Sequence, residues 1–411
     1  MERIPRVAFF PDTFDEIDGV ANTSRQFEAF ARKRGLPVLI VCAGEQNSTQ
    51  TNGSVTRLTF RRGPIGFPLD KKHFFDLAFW RHYAAIEKAV IRFAPDLVHV
   101  TGPSDVGQLG TLLARRLHIP LAASWHTNLH EYAERRGLAV LPFLPSSLKT
   151  KIGAAIRNCS LSALMWFYGL AEILFAPNPE LIELLAKGTG KSVWPMHRGV
   201  NTDLFSPARR DRDGGDFVIG FVGRLTVEKS IRLLADIERD LEAKGVANVR
   251  LSIVGQGSEE EWLKANLRRA DFAGVLTGEP LARAYANMDA FVFPSRTDTF
   301  GNVVLEALAS GVPAIVTDSG GPQFIIRSGE TGFVAGSAEE FVSHIRFLAE
   351  NPERLQAMRE AARADALKAS WDKIFEGLYE QYERESRETL AERRRQAKFR
   401  PQASVATSRL G

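Results

Sequence analysis

The chain has 411 residues, 44% of them hydrophobic and 25% charged, with a formal net charge of +4. These values exclude a largely disordered chain and a membrane-embedded one, and the length suits two domains with separate cores. Lys and Arg outnumber Asp and Glu over residues 1–199, and the reverse holds over 200–375, so the first half could meet acidic lipid heads, although an ordinary solvated basic face has the same composition.

In chain order, RVAFFPD predicts a buried strand, ANTSRQFEAFARKRG a helix and LPVLIVCAG a second strand. DLVHVTG, GQLGTLLARRLHIP and LAASWHT continue as strand, helix and strand, and EILFAPN and PELIELLAKG as strand and helix. Short apolar runs alternating with amphipathic helices imply crossover connections and a parallel sheet covered on both faces. HRGVNTDLFSPARRDRDGGD is polar and carries Pro207 and a Gly-Gly pair, so the stretch near 199–215 is read as a linker. The pattern then restarts with FVIGFVG, RLLADIERDLEAKG, VRLSIVGQG, EEEWLKANLRRAD, FAGVLTG, LARAYANMD, AFVFPS, VVLEALASG, PAIVTD and EEFVSHIRFLAENP. The fold class expected is α/β with two Rossmann-like βα domains facing across a cleft: residues 1–198 on the acceptor side and 199–372 holding the ligand. A C-terminal helix over 373–395 is expected to pack back towards the first domain, and 396–411 to lack structure.

No stretch reaches about 18 uninterrupted apolar residues and the start, MERIPRVAFFPD, has no leader pattern. The expected location is cytoplasmic, with peripheral contact on the inner face of an anionic membrane as a further expectation. KKHFFDLAFWRHYAAIEKAVIRF and VLPFLPSSLKTKIGAAIRNCSLSALMWFYGL motivate it by mixing Lys and Arg with Phe, Trp and Leu. The same mixture describes a crossover helix with one solvated basic face. Cys42 and Cys159 are far apart and lack metal-ligand spacing, so both are expected to be buried thiols.

Three segments carry the chemistry. In FVIGFVGRLTVEKSIRLL a buried strand runs through Gly223 into a loop bearing Arg224 and Lys229, with a helix expected to start near Ser230. Two cations beside a helix N-terminus suit a diphosphate, because the orphan N–H groups and the dipole already favour an anion. The loop lacks GxxxxGK[ST] and GxGxxG is missing after the first strand, which argues against a P-loop enzyme and a dinucleotide-dependent oxidoreductase. In PSRTDTFGNVVLEALASG, Gly301, Asn302 and Val303 fall at a helix start, Asp298 in the loop before it and Glu306 one turn inside. Carboxylates so placed can each accept two hydrogen bonds from adjacent hydroxyls, one from a sugar and one from a ribose diol, although helix capping and solvent exposure explain the same residues. His126 ends the strand LAASW, with His130 and Glu131 following, but no third ligand segment accompanies them and no metal site is expected.

PSRTDTFGNVVLEALASGVPAIV resembles the E-x7-E signature of retaining glycosyltransferases of the GT-B fold, family 4. FVGRLTVEKS is similar to that family's phosphate-binding segment and HRGVNTDLF to its RGVDTxxF stretch. PDTFDEIDGVANTSRQF resembles the first-strand loop, and SWHTNLHEYA the segment that places an active-site histidine. The resemblance implies a hexosyltransferase of mannose or glucose type that uses a nucleoside-diphosphate sugar, a lipid-linked or saccharide acceptor, no cofactor and no nucleic acid. It implies that Gly19 approaches the donor phosphates, Arg224 and Lys229 hold the leaving diphosphate, Glu306 binds the ribose, Asp298 the transferred sugar, and His126 a sugar hydroxyl or the reacting centre. Two positions depart from the pattern: Asp298 stands where the first Glu is usual, and Ser230 where a glycine is. The alternatives are a nucleotide-sugar epimerase on the same architecture and a binding protein without turnover.

Overall fold

A computed structural model describes residues 4–16, 18–64, 66–68, 74–139, 145–246 and 248–399. The first sheet is built from β1 (Val7–Phe10), β2 (Val38–Gly44), β3 (Ser48–Asn52), β4 (Val55–Arg61), β7 (Leu97–Val100), β8 (Leu121–Ser124), β9 (Ile173–Ala176) and β10 (Val193–Pro195). A separate pair is formed by β5 (Gly66–Pro68) and β6 (Phe74–Asp76). The strand order in the first sheet is β10-β9-β8-β7-β1-β2-β4-β3. β1, β2, β7, β8 and β9 lie where the apolar runs predict strands, whereas β10 falls outside those runs. The edge departs from the expected parallel sheet, because β3 pairs antiparallel with β4 through an Asn52↔Val55 closing pair around Gly53 and Ser54. Gly53 takes φ +61 in that turn, the left-handed conformation that a two-residue hairpin loop requires.

The second sheet comprises β11 (Phe217–Val222), β12 (Val249–Val254), β13 (Ala270–Phe272), β14 (Ala290–Phe293), β15 (Ala314–Thr317) and β16 (Gly332–Ala335), ordered β13-β12-β11-β14-β15-β16 with every pairing parallel. Its centre is apolar on both faces: Ile219, Phe221, Phe291, Phe293, Ile315 and Val316 are all buried. One expectation fails here. The helix expected over EEEWLKANLRRAD stops at Asn266, and the strand expected in FAGVLTG lies earlier, at Ala270–Phe272. The buried carboxylate of Glu238 accounts for the shift by accepting from the backbone N–H groups of Arg268 and Arg269, both at 2.8 Å. Those groups are thereby taken out of a helical ladder.

By compactness, one unit comprises Met1–Ala123, Leu170–Ile173 and Glu376–Gly411, the other Ser124–Gly169 and Leu174–Phe375. By sheet membership the change falls between Pro195 and Phe217. The part of the C-terminal helix, Trp371–Phe399, that belongs to the first unit contributes Tyr382, whose hydroxyl is hydrogen-bonded to Nδ1 of buried His99. Tyr379 of the same helix packs on Phe27 and Phe30. The helix continues four residues into the stretch expected to lack structure, and 400–411 lie outside the described residues.

In the second unit the linker is gripped rather than loose. Arg210 and Arg212 donate to the two oxygens of Asp289 at 2.9 and 2.7 Å, Arg359 reaches it at 3.3 Å, and Val218 N–H donates to it at 2.9 Å. Asp289 is only 6% exposed, so the charged linker is tied to the start of the sheet. Cys42 is buried as expected, whereas Cys159 is exposed. Cys159 lies on the helix Ser146–Tyr168 with Lys151, Ala155 and Ser162, a solvent-facing stripe at helical spacing, while Leu164, Phe167 and Tyr168 face inward.

Candidate active site

The chemistry of the second unit gathers where β11 and β14 end. β11 runs out at Val222, and Gly223 follows with φ +154. The loop then makes a short 3-10 turn, Val227–Lys229, and leaves it through Ser230 at φ +51 before the helix Leu233–Ala243. The helix therefore starts three residues later than expected. Ser230 occupies a left-handed conformation that favours glycine, which gives a physical reason for the glycine usual at this place in the resembling motif.

Lys229 and Asp298 are brought together. Nζ donates to Oδ1 at 2.6 Å and to Oδ2 at 2.7 Å, with the side chains 13% and 21% exposed. Burial by itself would raise the Asp298 carboxyl. The charge and hydrogen bond of Lys229, joined by Ser295 and Arg224, outweigh burial and hold it below the ordinary carboxylate range. Arg224 is exposed, with a charge close enough to act on Asp298.

Gly301, at φ +101, turns the chain from that loop into the helix Asn302–Ala309. A Cβ at Gly301 would stand 3.0 Å from the Pro322 ring as well as adopting an unfavourable φ. Among the described residues no side chain caps this N-terminus, so the amides at Asn302 and Val303 are open in the manner of an anion-binding helix start. Glu306, one turn further, accepts from the Tyr285 hydroxyl at 3.0 Å. Burial pushes its carboxyl up to about 7, the Tyr285 hydrogen bond offsetting only part of the effect. Tyr285 is fully buried against Phe205 and Phe291, so the partner that orients Glu306 is itself fixed.

His126 lies in the same unit and is 6% exposed. Its Nε2 is 2.7 Å from Ser124 Oγ and its Nδ1 is 3.0 Å from the guanidinium of Arg198. Its carbonyl accepts from Thr299 Oγ1 at 2.8 Å, and the Thr299 carbonyl accepts from Asn178 Nδ2 at 2.6 Å. The loop carrying Asp298 and the segment carrying His126 are thus bonded to each other through Thr299. His130 stacks edge-on with Trp125, and Glu131 accepts from Asn128.

The first unit holds Gly19 as the exposed first residue of the helix Gly19–Arg34. Asp18 caps that helix by accepting from Val20 and Ala21 N–H, each at 2.8 Å, so two of its orphan donors are already satisfied. A charged cluster also stands at the carboxyl ends of β1 and β4. Burial raises Asp12 to about 6, with Ser104 hydrogen bonds as the main offset. Arg62 lies 3.7 Å from Asp105, and its N–H donates to the Asp12 carbonyl at 3.5 Å.

Sequence reasoning missed Arg198, Ser124, Thr299 and Tyr285. Arg198, Thr299 and Ser124 lie inside motifs already singled out, but Tyr285 sits on the helix Gly278–Ala286 with no signal of its own in the sequence.

The two α/β sheets, parallel but for the β3 edge, have the GT-B architecture of glycosyltransferases, and the second ends in a cation pair, two carboxylates and an open helix start. Residues 216–351 match the family model for glycosyl transferases group 1, and residues 17–204 match that for glycosyltransferase family 4. A GDP-mannose-dependent alpha-mannosyltransferase of Mycobacterium tuberculosis is 30% identical over 404 residues, covering 92% of this chain and 96% of that protein. The sulfoquinovosyl transferase of Arabidopsis thaliana is 28% identical, over 89% of this chain and 71% of that one. Among solved structures, sucrose-phosphate synthase of Thermosynechococcus elongatus has a TM-score of 0.70 at 17% identity, covering 95% of this chain and 100% of that one. HepE of Anabaena, solved with UDP and glucose, has a TM-score of 0.62 at 17% identity, over 92% and 99%. The chain belongs to glycosyltransferase family 4; it is a hexosyltransferase that draws on a nucleotide sugar.

Proposed function

We propose that this enzyme transfers mannose from GDP-mannose, with retention at the anomeric carbon, to a lipid-linked or saccharide hydroxyl. The observation that carries the reading is the placing of Lys229, Asp298, the open helix start at Asn302 and Glu306 at the carboxyl ends of β11 and β14, with Arg224 beside them. Ligands of open α/β sheets bind at that edge. The nucleotide is read from the names of three relatives, each a GDP-mannose-dependent alpha-mannosyltransferase.

In this reading Arg224, Lys229 and the amides of Asn302 and Val303 take the leaving diphosphate, whose charge grows in the transition state. Gly223 and Gly301 let the backbone come close to it, and the family resemblance gives Gly19 a role towards the donor phosphates as well. Glu306 accepts from the ribose diol. Asp298 accepts from the transferred hexose, and to do so it must share its hold on Lys229 with the incoming phosphates. The bond to phosphate breaks as the acceptor oxygen attacks on the same face, and the departing phosphate oxygen takes the acceptor proton. No step calls on a protein-bound metal or cofactor. The acceptor is assigned to the carboxyl edge of the first unit's strands, where Asp12, Arg62 and Asp105 cluster.

Peripheral contact with anionic lipid is part of the proposal. It is supported by the basic first half and by the exposed Trp166 and Leu148 on the helix that carries Lys149, Lys151 and Arg157. Among the described residues no helix is long and apolar enough to cross a membrane. Sedimentation with vesicles tests the contact. Binding should rise with anionic lipid and fall with salt, and equal, negligible binding to neutral and anionic vesicles at low salt would remove it. Incubation with GDP-mannose and UDP-sugars, following nucleotide release with and without acceptors, tests the donor. Interconversion of the sugar without any acceptor would favour an epimerase.

A further inference from the structure

We propose that Arg198 is a positioning residue that holds His126 as a neutral imidazole protonated on Nε2, so that His126 serves sugar transfer as a hydrogen-bond donor and never as a proton-transfer group. The task assigned to His126 rests on the glycosyl-transfer reading above; the protonation pattern does not.

Arg198 is 4% exposed. One of its terminal nitrogens donates to the carbonyls of Met196 and His197 at 2.8 and 3.4 Å, and the other reaches His126 Nδ1 at 3.0 Å. Among the described residues no carboxylate pairs with it. A buried guanidinium without an acid is costly, and here its N–H groups are spent on two carbonyls and one imidazole nitrogen. Burial holds it down to about 10, so it stays cationic at neutral pH.

The direction of the His126 bond follows from chemistry. A guanidinium has only donors, so the contact at Nδ1 exists only while that nitrogen keeps its lone pair. The single ring proton is then on Nε2, and Nε2–H donates to Ser124 Oγ at 2.7 Å. The backbone is fixed as well, since Thr299 Oγ1 donates to the His126 carbonyl. In a hydrolase triad the opposite device operates: a carboxylate accepts from Nδ1–H and leaves Nε2 as a base. A cation at Nδ1 removes that base and leaves one N–H to offer. On donor binding Nε2–H can exchange Ser124 for a sugar hydroxyl without any change in protonation.

The experiment uses full-length protein with 15N-labelled histidine and two-bond 1H–15N correlation at pH 7, the His126 ring being assigned by its loss in His126→Gln. The wild type is expected to show protonated Nε2 and unprotonated Nδ1. Arg198→Lys, which still offers only donors, should retain the pattern, while in Arg198→Met, where Nδ1 no longer faces a cation, that nitrogen should take a proton in part of the molecules and the two ring signals should move towards each other. A wild-type His126 that carries its proton on Nδ1, or on both nitrogens, would overturn the proposal. So would an unchanged pattern in a folded Arg198→Met. Kinetics give a second reading. His126→Gln restores an N–H near the Nε2 position but cannot shuttle a proton, so it should keep transfer about ten-fold or more above His126→Ala; equal losses would overturn the donor role. Absence of transfer by the wild type is a failure of the functional reading alone, which the spectrum, recorded without substrate, keeps separate.

Discussion

Replacing Glu306 by Gln should make the protein more stable and less able to bind its nucleotide, and the gain should depend on pH in a defined way. Burial raises the Glu306 carboxyl from the ordinary 4.5 to about 7, so the folded state holds a proton that the unfolded chain has already released between those values. Stability therefore falls as pH rises through that window, and above about 7 the full cost of burying the charge is present. The difference of about 2.5 pKa units corresponds to about 3 kcal/mol. Glutamine keeps an oxygen to accept from Tyr285 and carries no charge, so the variant should gain up to about 3 kcal/mol over wild type at pH 8 and close to nothing near pH 4.5. Urea unfolding of both proteins at the two pH values measures it. Equal stability at pH 8, or a difference that does not change with pH, would refute the burial argument. The functional counterpart is a proton balance. If the ionised carboxylate takes both ribose hydroxyls, GDP binding at pH 7 should release roughly half a proton, seen as a dependence of the calorimetric enthalpy on buffer. Glu306→Gln should bind GDP more weakly with no such release.

Lys229→Ala and Arg224→Ala should each lower turnover by about two to three orders of magnitude, since each supports charge that grows on the leaving group; near-wild-type rates in both would remove the clamp. Asp298→Ala should keep GDP affinity by calorimetry and lose transfer, because it touches only the sugar end, and loss of nucleotide binding would contradict the division of labour with Glu306. Ser230→Gly should stabilise by about 0.5–1 kcal/mol in urea unfolding, relieving the left-handed conformation, unless the Ser230 hydroxyl has a ligand whose loss appears in the donor KM. Asp289→Ala should cost about 3 kcal/mol by depriving Arg210 and Arg212 of the linker, and Arg359, of their shared carboxylate, and an unchanged midpoint would show that they do not depend on it.

Much of the fold was legible because both sheets are buried on two faces. Runs such as VAFF, LVHV, AFVF and AIVT have no other economical home than a central parallel strand. The errors fell where one distant side chain overrode local pattern. Glu238 claims two amides from across the second unit and keeps LRRAD out of the helix, and nothing within that segment announces it. The antiparallel edge at β3 was readable from Asn52-Gly53. The site divides in the same way. Gly301, Asn302, Val303 and Glu306 form a contiguous helix start that spacing alone predicts. The bidentate closure of Lys229 on Asp298 joins residues 69 positions apart, and the approach of Arg198 to His126 joins residues 72 apart. Such pairs are set by which strands end side by side, and a linear motif does not contain that.

The central claim, mannosyl transfer with retention, is tested most directly by the anomeric configuration of the first product. Wild-type enzyme is supplied with GDP-mannose and a panel of lipid-linked and free saccharide acceptors in the presence of EDTA, and the new linkage is read from its anomeric coupling by NMR as it forms. The expected result is GDP release matched one to one by an α-mannoside, undiminished by the chelator. A β-mannoside would contradict retention, abolition by EDTA would contradict catalysis without a protein-bound metal, and GDP-mannose bound but left intact with every acceptor would contradict the assignment of mannosyl transfer.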